Sequence, residues 1–124
     1  MINDTDLEAF GYWQEQWKSK PLDMKSYQSE AQKTAIYGVN HAVIYPALGL
    51  AGEAGEVANK VKKMLRDGDF DRNAVAAELG DCLWYIAALS RDLNISMAEI
   101  AMSNLEKLMK RKANGTIKGS GDNR

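Results

Sequence analysis

Apolar residues recur along this 124-residue chain at helical spacing, and no stretch alternates convincingly as a strand would, so the pattern predicts five helices. Thr5-x-x-Glu8 reads as a capping box opening the first, with Leu7, Phe10, Trp13 and Trp17 on one side and Pro21 ending it. A second runs from about Asp23 to Tyr37, carries Met24, Tyr27, Ala31 and Ala35 on one face, and breaks at Gly38-Val39-Asn40. The third spans about Tyr45 to Arg66, with Pro46 in its first turn and Leu50, Ala54, Val57, Ala58, Val61, Met64 and Leu65 as a core-facing stripe. The fourth, about Asn73 to Leu93, is apolar on nearly every side and is expected to be buried. Ser96-x-x-Glu99 caps a fifth, to about Lys112. The expected organisation is a helical extension over 1–22, a helical domain over 23–113 and a polar tail over 114–124, and the fold class is all-α, a four- to five-helix bundle.

Two acidic pairs stand out against this pattern. Glu53-Ala54-Gly55-Glu56 lies on the third helix and Glu78-Leu79-Gly80-Asp81 on the fourth. Positions i and i+3 share a helix face, so each pair projects two carboxylates the same way. A short antiparallel connection through Asp67-Gly68-Asp69 lets the pairs face each other. A single E-x-x-E is ordinarily a solvated face. Here the second pair sits in an apolar helix, where unpartnered carboxylates would be costly, and a divalent cation with hard oxygen ligands, Mg²⁺ above all, meets the need.

The neighbouring residues each carry two readings. Lys60 is either an i,i+4 salt-bridge partner of Glu56 or a phosphate contact. Tyr85 shares the face of Glu78 and Asp81, as a core aromatic with a wet tip or as a ligand contact. Asn104, Lys107 and Arg111 form one polar edge of the fifth helix, solvated or ligand-facing. Gln28, Tyr37 and His41 are base-pocket candidates by proximity only, and the lone His41 has no His/Cys ligand set around it. Gly49, Gly52 and Gly55 at successive i+3 positions predict close approach of another backbone or a ligand.

Composition narrows the classes. A net charge of −1 argues against general nucleic-acid binding. The single cysteine, Cys82, excludes an internal disulfide and fits a reducing cytoplasm, as a small core residue. No apolar run approaches the ~18 residues of a membrane span, and the amino terminus lacks a signal-peptide pattern. A soluble cytoplasmic protein is expected, in bacteria or in a phage-infected host.

The run Tyr45-Pro-Ala-Leu-Gly-Leu-Ala-Gly-Glu-Ala-Gly-Glu-Val57, followed by Glu78-Leu-Gly-Asp-Cys-Leu-Trp-Tyr85, resembles the MazG-like nucleoside triphosphate pyrophosphohydrolases of the all-α NTP pyrophosphatase superfamily. Their signature is E-x-x-E, a spacer, then E-x-x-D. The likeness runs from about Met24 to Arg124, and the closing Gly119-Ser-Gly-Asp-Asn-Arg124 is similar to the end of short bacterial and phage members. The resemblance implies that Glu53, Glu56, Glu78 and Asp81 bind two or three Mg²⁺ ions, with Mn²⁺ able to substitute. It implies hydrolysis between the α- and β-phosphates, with Glu53 or Glu56 as general base. It further implies that Tyr85, Asn104, Lys107 and Arg111 contact substrate beside Lys60, which its position on the carboxylate edge already marks as a candidate phosphate contact, and that the chain works as a homodimer or homotetramer. Lys118 and Arg124 either close over a bound triphosphate or belong to a disordered tail. The expected substrate is a deoxynucleoside triphosphate, dGTP or another purine first, with dCTP and dUTP open. The rival readings are a related pyrophosphatase acting on phosphoribosyl-ATP and a non-catalytic metal-binding bundle.

Overall fold

The computed structural model describes residues 3–124, which fold into five α-helices and no strand. They are α1 (Asp4–Trp17), α2 (Met24–Gln32), α3 (Ile44–Asp67), α4 (Arg72–Asp92) and α5 (Met97–Ala113), with a 3₁₀ turn at Val39–His41. Among the described residues no helix is long and apolar enough to cross a membrane.

Local chemistry sets most boundaries. The capping box of α1 uses Asn3 and Asp6 rather than Thr5 and Glu8, since asparagine is the stronger N-cap and the shift still places an acid at the third helical position. Helix α2 stops at Gln32, short of the expected Tyr37. Its last turn tightens to i−3 bonds from Lys33, Thr34 and Ala35, and the Thr34 hydroxyl also donates to the Ala31 carbonyl at 2.7 Å. Gly68, at φ 79°, closes α3 in the left-handed conformation and donates to the Met64 carbonyl at 2.8 Å. Asp71 then caps α4 by accepting from the Ala74 amide, so the two longest helices form an antiparallel hairpin. Ser96 and Glu99 cap α5 as the sequence predicts.

Helix α4 packs on α3 along one side and on α2 and α5 along another. The core is thin: Ala87, Ala88, Met97 and Pro46 are the buried apolar residues. Helix α4 is not buried all round, because Leu79, Leu83 and Ile86 form an outward stripe, Leu79 being 54% exposed. The α3 stripe is likewise split. Pro46, Leu50, Val57 and Met64 turn inward, while Ala54, Ala58, Val61 and Leu65 lie on an outer face, Leu65 being 81% exposed. Cys82 is half-buried. Helix α1 buries none of its residues and is tied back by the Trp13 indole, which donates to Glu30 at 3.1 Å. The surface of 9697 Å² is well above the roughly 6,600 Å² of a compact monomer of this mass.

Gln28 is a structural clamp rather than a pocket residue. Its buried amide donates to the Ala87 carbonyl at 3.3 Å and accepts from the Met97 amide at 3.0 Å, joining α2 to α4 and to the first turn of α5. The tail, expected to be irregular, is gathered into turns around Arg111. That buried guanidinium donates to the Asp122 carbonyl at 3.0 Å, and Arg124 donates to the Thr116, Ile117 and Gly121 carbonyls.

Replacing Gln28 by leucine leaves the Met97 N–H buried without a partner. Urea denaturation should show a loss of about 1–3 kcal/mol, and an unchanged midpoint would contradict the clamp.

Candidate functional site

The α3–α4 hairpin brings three carboxylates together. Oxygens of Glu53, Glu78 and Asp81 lie within 4.8 Å of one another. Opposite ligands on one octahedral Mg²⁺ stand about 4.2 Å apart and adjacent ones about 3 Å, so the three carboxylates are within side-chain reach of a shared ion once they draw together. The donors are all hard oxygens, which suits a divalent cation of the Mg²⁺, Mn²⁺ or Ca²⁺ type. Glu56 does not join this group and is exposed at its rim. Three residues turn a helix by about 300°. With Glu53 aimed at α4, Glu56 therefore swings about 60° towards solvent.

The cluster concentrates negative charge around Glu53. Loss of solvent pushes the Glu53 carboxyl above its ordinary 4.5, and the charge of Asp81, a shared hydrogen bond with Glu78 and the charges of Glu78 and Glu56 push it further the same way. Lys60 answers part of this charge. Its ammonium stands 3.8 Å from Glu78, whose side chain is 17% exposed. The salt bridge thus runs across the hairpin to α4, and Glu56 is not its partner.

Beside the acids lies an open cleft of about 390 Å³, lined by Thr34, Ile36, Tyr37, Tyr45, Glu53, Asp81, Trp84 and Tyr85. Its wall is a connected set of rings. Tyr37 stacks on Tyr45 at 4.7 Å, Trp84 stands edge-on to Tyr85 at 5.1 Å, and Tyr37 meets Trp84 edge-on at 6.5 Å. The Trp84 indole is fixed by donating to the Thr34 hydroxyl at 2.8 Å. Burial pushes the Tyr85 hydroxyl above its usual range, and Tyr45 and the charges of Glu53 and Asp81 add to the shift, so it stays a protonated donor at neutral pH. The third helix also explains one of its glycines. A Cβ at Gly49 would collide with the Tyr85 ring, whereas Gly52 and Gly55 meet nothing within 4 Å.

Of the other candidates, Tyr37 lines the cleft and His41 is exposed in the 3₁₀ turn. Asn104 and Lys107 line a separate groove on α5 with Ile95, Glu99, Ile100 and Ser103. Arg111 faces the tail carbonyls, away from any carboxylate of the cluster. Tyr45, Trp84 and Thr34 are cleft residues that pattern reading did not single out. Tyr45, Gly49 and Glu53 recur at i+4 along one face, a signal strong enough to have found the first of them.

The profile of the MazG nucleotide pyrophosphohydrolase domain matches residues 45–116, the segment that holds all three converging acids, Tyr45, Trp84 and Tyr85. The chain is also 47% identical over 109 residues to the Gene 37 protein of Mycobacterium phage L5, covering 79% of this chain and 96% of the relative. No solved structure gives a significant match. The chain belongs to the MazG nucleotide pyrophosphohydrolase family.

Three substitutions test this geometry. Gly49→Ala should displace Tyr85 and destabilise the fold by about 1–3 kcal/mol, read by urea denaturation. Glu78→Gln should abolish the rise in melting temperature that Mg²⁺ or Mn²⁺ produces in the parent chain. Because a cation needs Glu53 ionised, metal stabilisation should fade with acidification at a pH above the ordinary carboxylate value of 4.5, and Glu53→Gln should remove that dependence along with the binding.

Proposed function

We propose that this MazG-family chain hydrolyses nucleoside triphosphates between the α- and β-phosphates, releasing a nucleoside monophosphate and pyrophosphate in a Mg²⁺-dependent reaction. The observation that carries the reading is the meeting of Glu53, Glu78 and Asp81 beside a cleft walled by four aromatic rings. One half of the site suits phosphates held through cations, and the other suits a base.

Two or three Mg²⁺ ions, with Mn²⁺ as a substitute, supply neutralising charge for acids and phosphates and acidify water for attack at neutral pH. Glu53, Glu78 and Asp81 hold them, with Glu56 joining from the rim. Glu53, which belongs to the acid cluster and also lines the cleft, is suited to take the proton of the attacking water, and Glu56 is the alternative base. Lys60 offers its ammonium to a phosphate from the edge of the cluster. The Tyr85 hydroxyl donates to the substrate, and the rings of Tyr37, Tyr45 and Trp84 give stacking area that suits a purine, dGTP first, over dCTP or dUTP. The cytoplasm of a bacterium or of a phage-infected host supplies both nucleotide and magnesium.

A homodimer or homotetramer completes this picture. The outward stripe of α4, the outer face of α3 and the surface in excess of a compact monomer all call for a covering partner, and a second copy is the simplest one. Asn104 and Lys107, remote from the acids within one chain, would then reach a nucleotide held by a neighbour.

The decisive assay offers each (d)NTP with Mg²⁺ and scores the products. Pyrophosphate and monophosphate are expected, with activity lost on chelation and in Glu78→Gln; orthophosphate alone would overturn the cleavage assignment. Light scattering should give a mass of two or four chains, and a fully active monomer would refute the assembly.

A further inference from the structure

Val43 is the most unusual backbone position in the described chain. It sits at φ 68°, ψ −52°, a left-handed conformation that a β-branched side chain adopts only under constraint. The Ile44 amide donates to the Ala42 carbonyl at 2.8 Å across it, closing a three-residue γ-turn of the rare, strained hand. This turn starts α3, the helix that carries Tyr45 in its first turn and Glu53 two turns later. Valine offers no capping group, and α3 has no side-chain cap of its own.

The constraint comes from the far end of α4. Asp92 Oδ2 accepts from the Val43 amide at 2.9 Å and from the Tyr37 hydroxyl at 2.8 Å, while Oδ1 accepts from Arg91 Nε at 3.1 Å. Arg91 also donates to the Tyr37 hydroxyl at 2.6 Å and lies 5.4 Å from the centre of its ring. The Asp92 side chain is only 6% exposed. An acid in the last turn of α4 opposes the dipole of its own helix, yet the same charge favours the start of α3. Its position therefore serves the junction and not α4. Burial pushes the Asp92 carboxyl up, and the bonds from Val43, Tyr37 and Arg91 outweigh that and leave it below the usual aspartate value.

We propose that Asp92 is a positioning residue for nucleotide binding: it holds the strained turn at Val43 and the Tyr37 ring together, and so sets the Tyr37–Tyr45 wall against the acid-bearing face of α3. Asp92 does not line the cleft and acts only through these neighbours. The proposal rests on the cleft being the nucleotide site. Without Asp92, Val43 relaxes to negative φ, Tyr45 turns with it, and the base loses its stacking surface while Glu53, two turns further on, keeps its place.

The test combines kinetics with stability. Asp92→Ala should raise KM for the best (d)NTP by roughly tenfold, the loss of about one stacking contact, with kcat within about threefold. Val43→Gly, which adopts positive φ freely, should be near neutral alone and should recover most of the KM defect in the double variant. Asp92→Asn keeps an oxygen for Val43 and Tyr37 but turns a donor NH₂ toward Arg91, so its KM should fall between those of the parent and Asp92→Ala. The urea midpoints of the parent, Asp92→Ala, Val43→Gly and their double variant read the turn without any nucleotide: Asp92→Ala should cost clearly less in the Val43→Gly background. Equal costs in both backgrounds overturn the proposal whatever the parent does with nucleotides, as does a KM defect that persists in a double variant of restored stability. A parent chain that hydrolyses no (d)NTP instead sinks the pyrophosphohydrolase reading, and the binding role with it, while the stability coupling still reports whether Asp92 holds the turn.

Discussion

The seam between α3 and α4 holds like charges in contact, and the rest of the structure accommodates that. Glu53, Glu78 and Asp81 meet across it with the ammonium of Lys60 near enough to answer part of their charge. Hydrophobic burial alone does not select such an arrangement, because every carboxylate added to the seam weakens the packing it interrupts. The hairpin turn at Gly68, the caps at either side of it and the approach of Tyr85 onto Gly49 keep the two helices close despite the repulsion. A divalent cation reverses the sign of the problem, turning the point of greatest repulsion into the point of greatest attraction.

The same logic explains why the core is so modest. Positions that a self-sufficient bundle would fill with large apolar residues carry Gly49, Glu53 and Lys60 on α3 and Glu78 and Asp81 on α4. Large side chains are displaced to the outer stripes, at Leu65, Leu79, Leu83 and Ile86. Stability is then recruited from directional contacts. Gln28 clamps three helices, Arg111 gathers the tail, and Asp92 fastens the start of α3 to the end of α4. The aromatic cluster has a double role, since Tyr37 and Tyr45 pack the end of the hairpin and also wall the cleft.

Helix periodicity was legible in the sequence, and capping chemistry in part: the α1 box reads at Thr5 and Glu8 but forms at Asn3 and Asp6. The Ser96 box, the short connection through Gly68 and the five-helix count follow from residue type and spacing. The convergence of Glu53, Glu78 and Asp81 was legible too, because i,i+3 geometry and a short hairpin leave few other arrangements. What failed was whatever depends on helix rotation about its axis. A continuous apolar stripe on α3 does not say which of its edges meets α4, so Ala54, Ala58, Val61 and Leu65 read as core and lie outside. The same rotation moves Glu56 to the rim. Long-range polar partners were equally out of reach: nothing near Asp92 in the sequence announces Val43, 49 positions earlier, and Gln28 reads as a base-pocket candidate until Met97 is known to lie above it.

Anomalous diffraction from crystals of the protein soaked in Mn²⁺ tests the central claim most directly. The account predicts strong peaks between α3 and α4, within bonding distance of oxygens of Glu53, Glu78 and Asp81. Saturating Mn²⁺ with no peak at these three carboxylates, or with its peaks elsewhere on the assembled protein, would contradict it.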